Sequence, residues 1–439
     1  LSSTKIPSIA ELQDIIMDLL KNENLDDSIY LEIMHYSLDD FNKQNLNKDY
    51  YGYHNISHNL VVVHNTLLAA RGEEFKKIIS QDDFKHLFVA ALFHDYEPDK
   101  TEDKPEEIVA SNFVTSDPKL QNLLKKIDVD VNLVAALILR TSHPWKIKQK
   151  EIEPMIAKHY TKSKYSKEKQ KQNHYSNLGW FLSITDRIGA YALGDFLDAM
   201  ELAKKNSHSL GWEPEQIVQR SITYFETLLN EENEMSSKVL KSLPKSMQHR
   251  FQENYSSFIK LREKELEIKK SISNGELQLI PVIEKKISDR RFAEMLFDIF
   301  DELPDPLQFK KGTFFESLED PETILVTLRL GTESGEVIGF AKGGPLERYS
   351  LSNKINDENY GKQNTIFLEP LAIKAGYWGH SGGPDMRELF RKETKKRKYA
   401  YLTGLQLREV IQNRINREDK IEFVQKLNPE RLDYYRVTL

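Results

Sequence analysis

Apolar residues recur at three- and four-residue spacing from about residue 8 to about residue 270, as at Leu12, Ile15, Ile16 and Leu19 and again at Leu87, Ala90, Ala91 and His94. Side chains so spaced share one face of an α-helix, and glycine is sparse throughout, so this half reads as almost wholly helical. Two stretches depart from the pattern. Residues 146–173 (KIKQK, KSKYSKEKQKQ) are rich in Lys and Gln with little apolar periodicity and are expected to form a mobile insertion or lid. Residues 244–272 carry many charges and suit a solvent-exposed connecting helix that stops at Ser273-Asn274-Gly275.

Beyond Gly275 the period changes. ELQLIPVI reads as a strand, and SDRRFAEMLFDIF as an amphipathic helix with Ser288 as N-cap. ETILVTLRL and EVIGFAKGG, joined by a TESG turn, form a hairpin signal, and TIFLEPLAI reads as one further strand. DMRELFRKETKKRK (helix), YAYLTGLQL (strand), LREVIQNRI (helix), IEFVQKL and LDYYRVTL (strands) follow. The expected fold class is multidomain: an all-α helical bundle over residues 1–272, then an α+β domain over 273–439 with helices packed on one sheet.

The chain's 439 residues exceed the roughly 250–300 that one core sustains, which agrees with two domains. A content of 39% hydrophobic and 30% charged residues is that of an ordinary globular chain, and the net charge of -6 gives no field that would attract nucleic acid. The absence of cysteine excludes disulfides, thiolate metal sites and a thiol nucleophile. No apolar run approaches the roughly 20 residues that span a bilayer. The opening LSSTKIPS lacks the basic and apolar regions of a signal peptide and an initiator Met, so it reads as a trimmed start of a cytoplasmic protein with no membrane partner.

Four polar clusters lie at the ends of apolar helical runs: Tyr53-His54-Asn55-Ile56-Ser57-His58, then His94-Asp95 after LFVAALF, Thr141-Ser142-His143 after LVAALIL, and Thr185-Asp186-Arg187 after LGWFLS. His54 and His58 are four apart and would share a helix face. Imidazoles with carboxylates suit one or two divalent ions such as Mg, Mn, Zn or Fe. An Asp beside a His can bridge two ions, an ion acidifies its water, and a nearby imidazolium can protonate a leaving oxygen. His64, His86, His159, His174, His208 and His249 lack such context and read as surface or packing residues.

The order His, His-Asp, Asp on helices resembles the HD-domain superfamily of metal-dependent phosphohydrolases over about residues 45–200, and YHN-x-x-H resembles its phosphodiesterase-like subset. The resemblance implies that His58, His94, Asp95 and Asp186 bind a first metal and that Asp95 bridges to a second. It implies further that His143 lies near the second metal and that His54 protonates the leaving group. Glu97 and Asp99 follow the doublet, and Arg140, Lys146 and Lys100 are candidates to meet a phosphate. There is no match to the purine-clamping Gln and Phe segment of mammalian-type phosphodiesterases, so a nucleotide or small phosphoester is the implied substrate without cyclic-nucleotide specificity.

In the second half, Leu371 to Gly383 (LAIKAGYWGHSGG) is a glycine-rich turn between a strand and a helix, where backbone N–H groups can meet a pyrophosphate. Its setting resembles the GNAT acyltransferase fold, whose fourth strand leads into a (Q/R)-x-x-G-x-(G/A) loop. Trp378 stands where Arg or Gln is usual and Ser381 where Gly or Ala is usual, while Gly379 and Gly383 remain. The resemblance implies acetyl-CoA held by Ile373, Gly379, His380, Ser381, Gly382 and Gly383, an acyl acceptor, Glu369 as general base, and Tyr434 or Tyr435 as general acid. The leading expectation is thus a phosphohydrolase fused to an N-acetyltransferase. The alternatives are a metal- and nucleotide-binding sensor regulating the acyltransferase, and an HD-type di-iron oxygenase.

Overall fold

The computed structural model describes residues 6–25, 27–43, 55–96, 107–209, 213–285, 289–303, 307, 311–351, 355–415, 421–427 and 432–439. Helices α1 (Ile9–Asn22), α2 (Ser28–Lys43), α3 (Ile56–Ala70), α4 (Gln81–Phe93), α5 (Glu107–Ser116), α6 (Pro118–Lys126) and α7 (Val131–Arg140) come first. Helices α8 (Trp145–Lys162), α9 (Lys169–Leu193), α10 (Phe196–Ser209), α11 (Ile217–Glu226), α12 (Asn233–Ser242) and α13 (Lys245–Ser273) follow. None of the helices among the described residues is long and apolar enough to cross a membrane.

The chain divides into two compact units, residues 1–202 with 221–257, and residues 203–220 with 258–439. The division falls inside α13, before the boundary expected at 272/273. The physical reason lies in the helix's two halves: Asn254 donates to the carbonyls of Tyr191 and Gly194 in the first unit, whereas Ile268 packs into the core of the second. A helix with Phe251, Phe258 and Ile268 buried is also not the solvent-exposed connector its charges suggested.

In the first unit α3, α4, α7 and α9 pack on one another. Their apolar faces are nearly continuous: Leu87 to Phe93 of α4 and Leu133 to Leu139 of α7 are all buried. Residues 146–173 differ from expectation, since α8 and the start of α9 cover most of them. The signal is one buried side chain per turn, Ile152, Ile156 and Tyr160, which suffices to dock a helix whose other faces are Lys and Gln. Helix α4 starts with a capping box in which Ser80 and Asp83 satisfy each other's backbone N–H groups.

The second unit holds β1 (Leu279–Ile283), α14 (Arg290–Phe300), α15 (Lys311–Glu319), β2 (Ile324–Leu330), β3 (Val337–Pro345), β4 (Thr365–Leu368), β5 (Ala372–Ile373), α16 (Gly382–Lys396), β6 (Tyr401–Leu407), α17 (Arg408–Ile415), β7 (Ile421–Leu427) and β8 (Leu432–Thr438). Ser288 lies outside the described residues, and α14 is capped by Asp289, which accepts from Arg291 N. The sheet order is β1-β2-β3-β4-β6-β8-β7, with β5 also on β3. Every neighbouring pair is antiparallel except β4 and β6. Along β2, Ile324, Val326 and Leu328 face the core that includes Met386 and Phe390 of α16. Leu325 faces the opposite core, which includes Leu296 and Phe300 of α14 and Phe314 of α15. Period-two alternation therefore dresses both faces of the sheet with helices.

TIFLEPLAI is two strands rather than one. Pro370 has no N–H to give a ladder, and the chain breaks there. β4 stays paired to β6 only as far as Leu368↔Gly404, while β5 returns to β3 at Gly339 and Phe340. The parallel pair therefore splays after Leu368.

Burial raises the pKa of the Asp83 carboxyl, but His174 Nε2 at 2.9 Å and the two Ser80 donors outweigh it and bring it down to about 2. Relative to about 3.9 in the unfolded chain, this group adds stability that is complete above about pH 4 and is lost as pH falls towards 2. Asp83→Asn is expected to lower the stability of the helical unit by about 2 kcal/mol at pH 6. Urea-unfolding midpoints of variant and parent should converge as pH approaches about 2–3.

Candidate functional site

Helix α3 begins at Ile56, because Asn55 is extended and its side chain accepts from His58 N at 3.0 Å. His54 therefore precedes the helix, so the shared helical face expected for His54 and His58 does not apply; His54 itself lies outside the described residues. His58 points into the bundle and is 6% exposed. Helix α4 stops at Phe93, with His94 as its C-cap and Asp95 next. Asp186 comes from the middle of α9. Helix α9 can approach α3 closely because Gly189 is small: a Cβ there would lie 2.8 Å from Asn65 Nδ2. Thr66 and Thr185 tie the same two helices by a 2.7 Å hydroxyl contact.

These elements bring polar atoms of four residues close together. His58 Nε2 lies 3.2 Å from Asp95 Oδ2 and 3.2 Å from Asp186 Oδ1. His94 Nε2 lies 3.1 Å and 3.6 Å from the same two atoms. Donor atoms of His58, His94 and Asp95 all fall within 4.8 Å of one another. Bonds of about 2.1 Å to a common ion place neighbouring donors about 3.0 Å apart in an octahedron and about 3.4 Å apart in a tetrahedron, so the spacing of His58, His94 and Asp95 suits a divalent ion, with Asp186 against both histidines. His94 Nδ1 donates to the carbonyl of Ala91 at 2.8 Å, which leaves Nε2 to face the site. Burial opposes a proton on either ring, yet the two carboxylates outweigh it, raising His58 and holding His94 well above the ordinary imidazole value. Burial likewise opposes the charge of Asp186, and the imidazoles hold its carboxyl below the ordinary range. The pocket is thus built for positive charge between two carboxylates, supplied by protons or by a metal ion.

His143 does not join this group. Its Nδ1 lies 3.2 Å from Arg187 Nη1, and an arginine can only donate, so that nitrogen is the acceptor. Arg187 also donates to Ser183 O and pairs with Glu232. Arg140 stacks on Trp145, 3.8 Å from its ring centre, and burial pushes its pKa down to about 10. Lys146 is exposed and pairs with Glu231 at 2.6 Å. Glu97, Asp99 and Lys100 lie outside the described residues. His86, read as a packing residue, is buried and accepts from Asp130 N through Nε2.

In the second unit, Glu369 follows β4 at the break and is buried with Lys342 of β3 as its ion-pair partner. Tyr349 Oη donates to its Oε1 at 2.8 Å, and Lys342 Nζ also donates to Ser317 Oγ at 2.5 Å. Burial pulls the Lys342 pKa down. Burial also lifts Tyr349, with Glu369 adding to the effect. Tyr434, expected as the general acid, instead donates to Asp357 Oδ2 at 2.6 Å. The tyrosine on Glu369 is Tyr349. Sequence reasoning missed Lys342 and Tyr349. Lys342 carried a signal, being a cation two residues after Phe340 in an otherwise apolar strand; Tyr349 carried none, because its approach to Glu369 is tertiary.

The glycine-rich turn runs from Ile373, whose carbonyl accepts from Trp378 Nε1 at 2.8 Å. Gly379 (φ 78) and Ser381 (φ 64) are left-handed. Ser381 caps α16 without a side-chain hydrogen bond. Gly382 packs on Leu328, and the space beside the Gly379 Cα is taken by Glu215. Burial and Lys269 depress the pKa of His380.

No family model and no curated relative matches the chain. Solved structures with a partial likeness include the IAA acetyltransferase from Bacillus cereus, 9% identical over 37% of this chain and 100% of that one, with a TM-score of 0.25. The ribosomal-protein-S18-alanine N-acetyltransferase from Escherichia coli is 14% identical over 36% of this chain and 93% of its own, at 0.26. The GNAT domain of S. lividans PAT is 8% identical over 37% and 90%, at 0.27. At these values the likeness carries no argument, and the fold is described by its own strand order.

Removing one partner of a buried ion pair costs about 3–5 kcal/mol, whereas replacing both with apolar groups is often neutral. Glu369→Ala is therefore expected to melt the second unit well below the parent in calorimetry. The double variant Lys342→Met with Glu369→Met should recover most of the loss.

Proposed function

We propose that the N-terminal unit is an HD-type metal-dependent phosphohydrolase acting on a nucleotide or small phosphoester, and that the C-terminal unit is a GNAT-like N-acyltransferase. The observation that carries the first reading is the convergence of His58, His94, Asp95 and Asp186 in one buried site. Those residues hold the ion, and the mixed nitrogen and oxygen donors favour Mn, Fe or Zn over the all-oxygen preference of Mg. A divalent ion there supplies Lewis acidity, acidifying water and offsetting phosphate charge. Two carboxylates would offset the charge of such an ion, and Arg187, next to Asp186 in sequence, is anchored by Ser183 O and Glu232 and donates to His143. His54 is the residue the HD resemblance assigns to protonate the leaving oxygen.

The acyltransferase reading is supported by the splay of β4 and β6 after Leu368, the buried Glu369 at the break and the glycine turn leading into α16. In the transfer, an amine nitrogen bonds to the acyl carbon of acetyl-CoA and the C–S bond breaks. The amine proton passes to the Glu369 carboxylate and the thiolate leaves. Lys342 and Tyr349 orient that carboxylate.

Metal content by mass spectrometry and phosphate release from a phosphoester panel test the first reading. His94→Ala and Asp186→Asn are each expected to lose metal and to cut hydrolysis at least about 100-fold, while acetyl-CoA turnover persists. Full metal content and hydrolysis in both variants would sink it. Nucleotide binding without turnover would make the helical unit a sensor, and an iron-dependent optical signature would make it an oxygenase.

A further inference from the structure

The second unit contains a cavity of about 690 Å³ beside Glu369, within the range of about 300–1,000 Å³ typical of small-molecule sites. Its apolar lining includes Phe314, Leu351, Ile355, Phe367, Leu405 and Leu427, interspersed with polar groups such as Thr313, Thr323 and Ser350. Its polar end is the connected set Ser317, Lys342, Glu369 and Tyr349. The charges there are already matched. Lys342 and Glu369 pair with side-chain exposures of 1% and 3%, and Arg348 reaches Asp320 at 3.5 Å and Glu322 at 3.0 Å. Among the described lining residues, carboxylates (Glu316, Asp320, Glu369) outnumber cations (Lys342, Arg348).

This distribution discriminates between ligand classes. A carboxylate or phosphate would meet Glu369 in a site with excess negative charge. A polyamine would find its further carboxylates only in Asp320, already paired with Arg348, and in the exposed Glu316, and any ammonium set against phenylalanine or leucine would lose water unpaired. One amine on an apolar body satisfies both regions, with its nitrogen near Glu369 and its hydrocarbon on the walls.

Resting on the acyltransferase reading of this unit, we propose that the cavity takes a small primary amine with an aromatic or branched aliphatic body as its acyl acceptor. The bound ammonium first releases one proton to solvent; the neutral nitrogen then bonds to the acyl carbon, its second proton goes to Glu369, and the thiolate departs with the electron pair of the C–S bond.

The test has two arms, both on the full chain. Calorimetric titration without acetyl-CoA compares 2-phenylethylamine and isopentylamine with spermidine and phenylacetate. The two monoamines are expected to bind at least tenfold more tightly. Leu351→Glu and Leu405→Gln, each checked for an unchanged melting profile, should weaken the monoamines at least tenfold. The second arm adds acetyl-CoA and follows free thiol. Monoamine binding with the expected variant effects but no thiol release would uphold the ligand class and overturn the acyltransferase reading. Tighter binding of spermidine or phenylacetate, monoamine affinity untouched by both folded variants, or thiol release only with a peptide α-amine would each overturn the proposal.

Discussion

Two imidazoles and two carboxylates share one buried place in the helical unit, and the arrangement of α3, α4 and α9 follows from that. Any of the four charged alone in the interior would be strongly disfavoured; facing one another, they offset the cost of leaving water. The helices are thereby fixed in register as well as in contact. Asn55 must begin α3 so that His58 falls in its first turn, α4 must end at Phe93 so that His94 and Asp95 leave it together, and Gly189 must be small for Asp186 to arrive. The sheet unit repeats the principle on a smaller scale, with Lys342 and Glu369 as a buried pair held by Ser317 and Tyr349.

What could be read from the sequence was what is local. The helical period, the hairpin of β2 and β3 and most of the strand-helix alternation to the C-terminus are written in neighbouring residues, and the structure has them where the pattern put them, apart from the split of TIFLEPLAI and the added helix α15. The convergence of His58, His94, Asp95 and Asp186 was legible because each closes or interrupts an apolar run, which places a polar group at the wall of a core. Helix α8 was not, since a stripe of one apolar residue per turn vanishes in a Lys- and Gln-rich background. The pairing of His143 with Arg187, of Tyr434 with Asp357 and of Tyr349 with Glu369 joins residues from distant parts of the chain, and no spacing rule encodes such contacts. The unit division was displaced for a related reason: the charges of α13 are visible in sequence, but which core each of its halves serves is not.

The break at Pro370 has a further consequence for the sheet. A strand border normally lies at the rim, where unpaired backbone groups can recruit another chain. Here β6 keeps its partner β8 from Leu405 to Leu407 while its bond to β4 ends at Gly404, so among the described residues the sheet has a border in its interior besides the outer ones at β1 and β7. Cores that include α14 on one side of the sheet and α16 on the other cover its two faces. A border between two helix-covered faces is less exposed to a foreign strand than a rim. The same proline that interrupts the ladder therefore gives the protein a hydrogen-bonding edge with less of the aggregation hazard that edges usually bring.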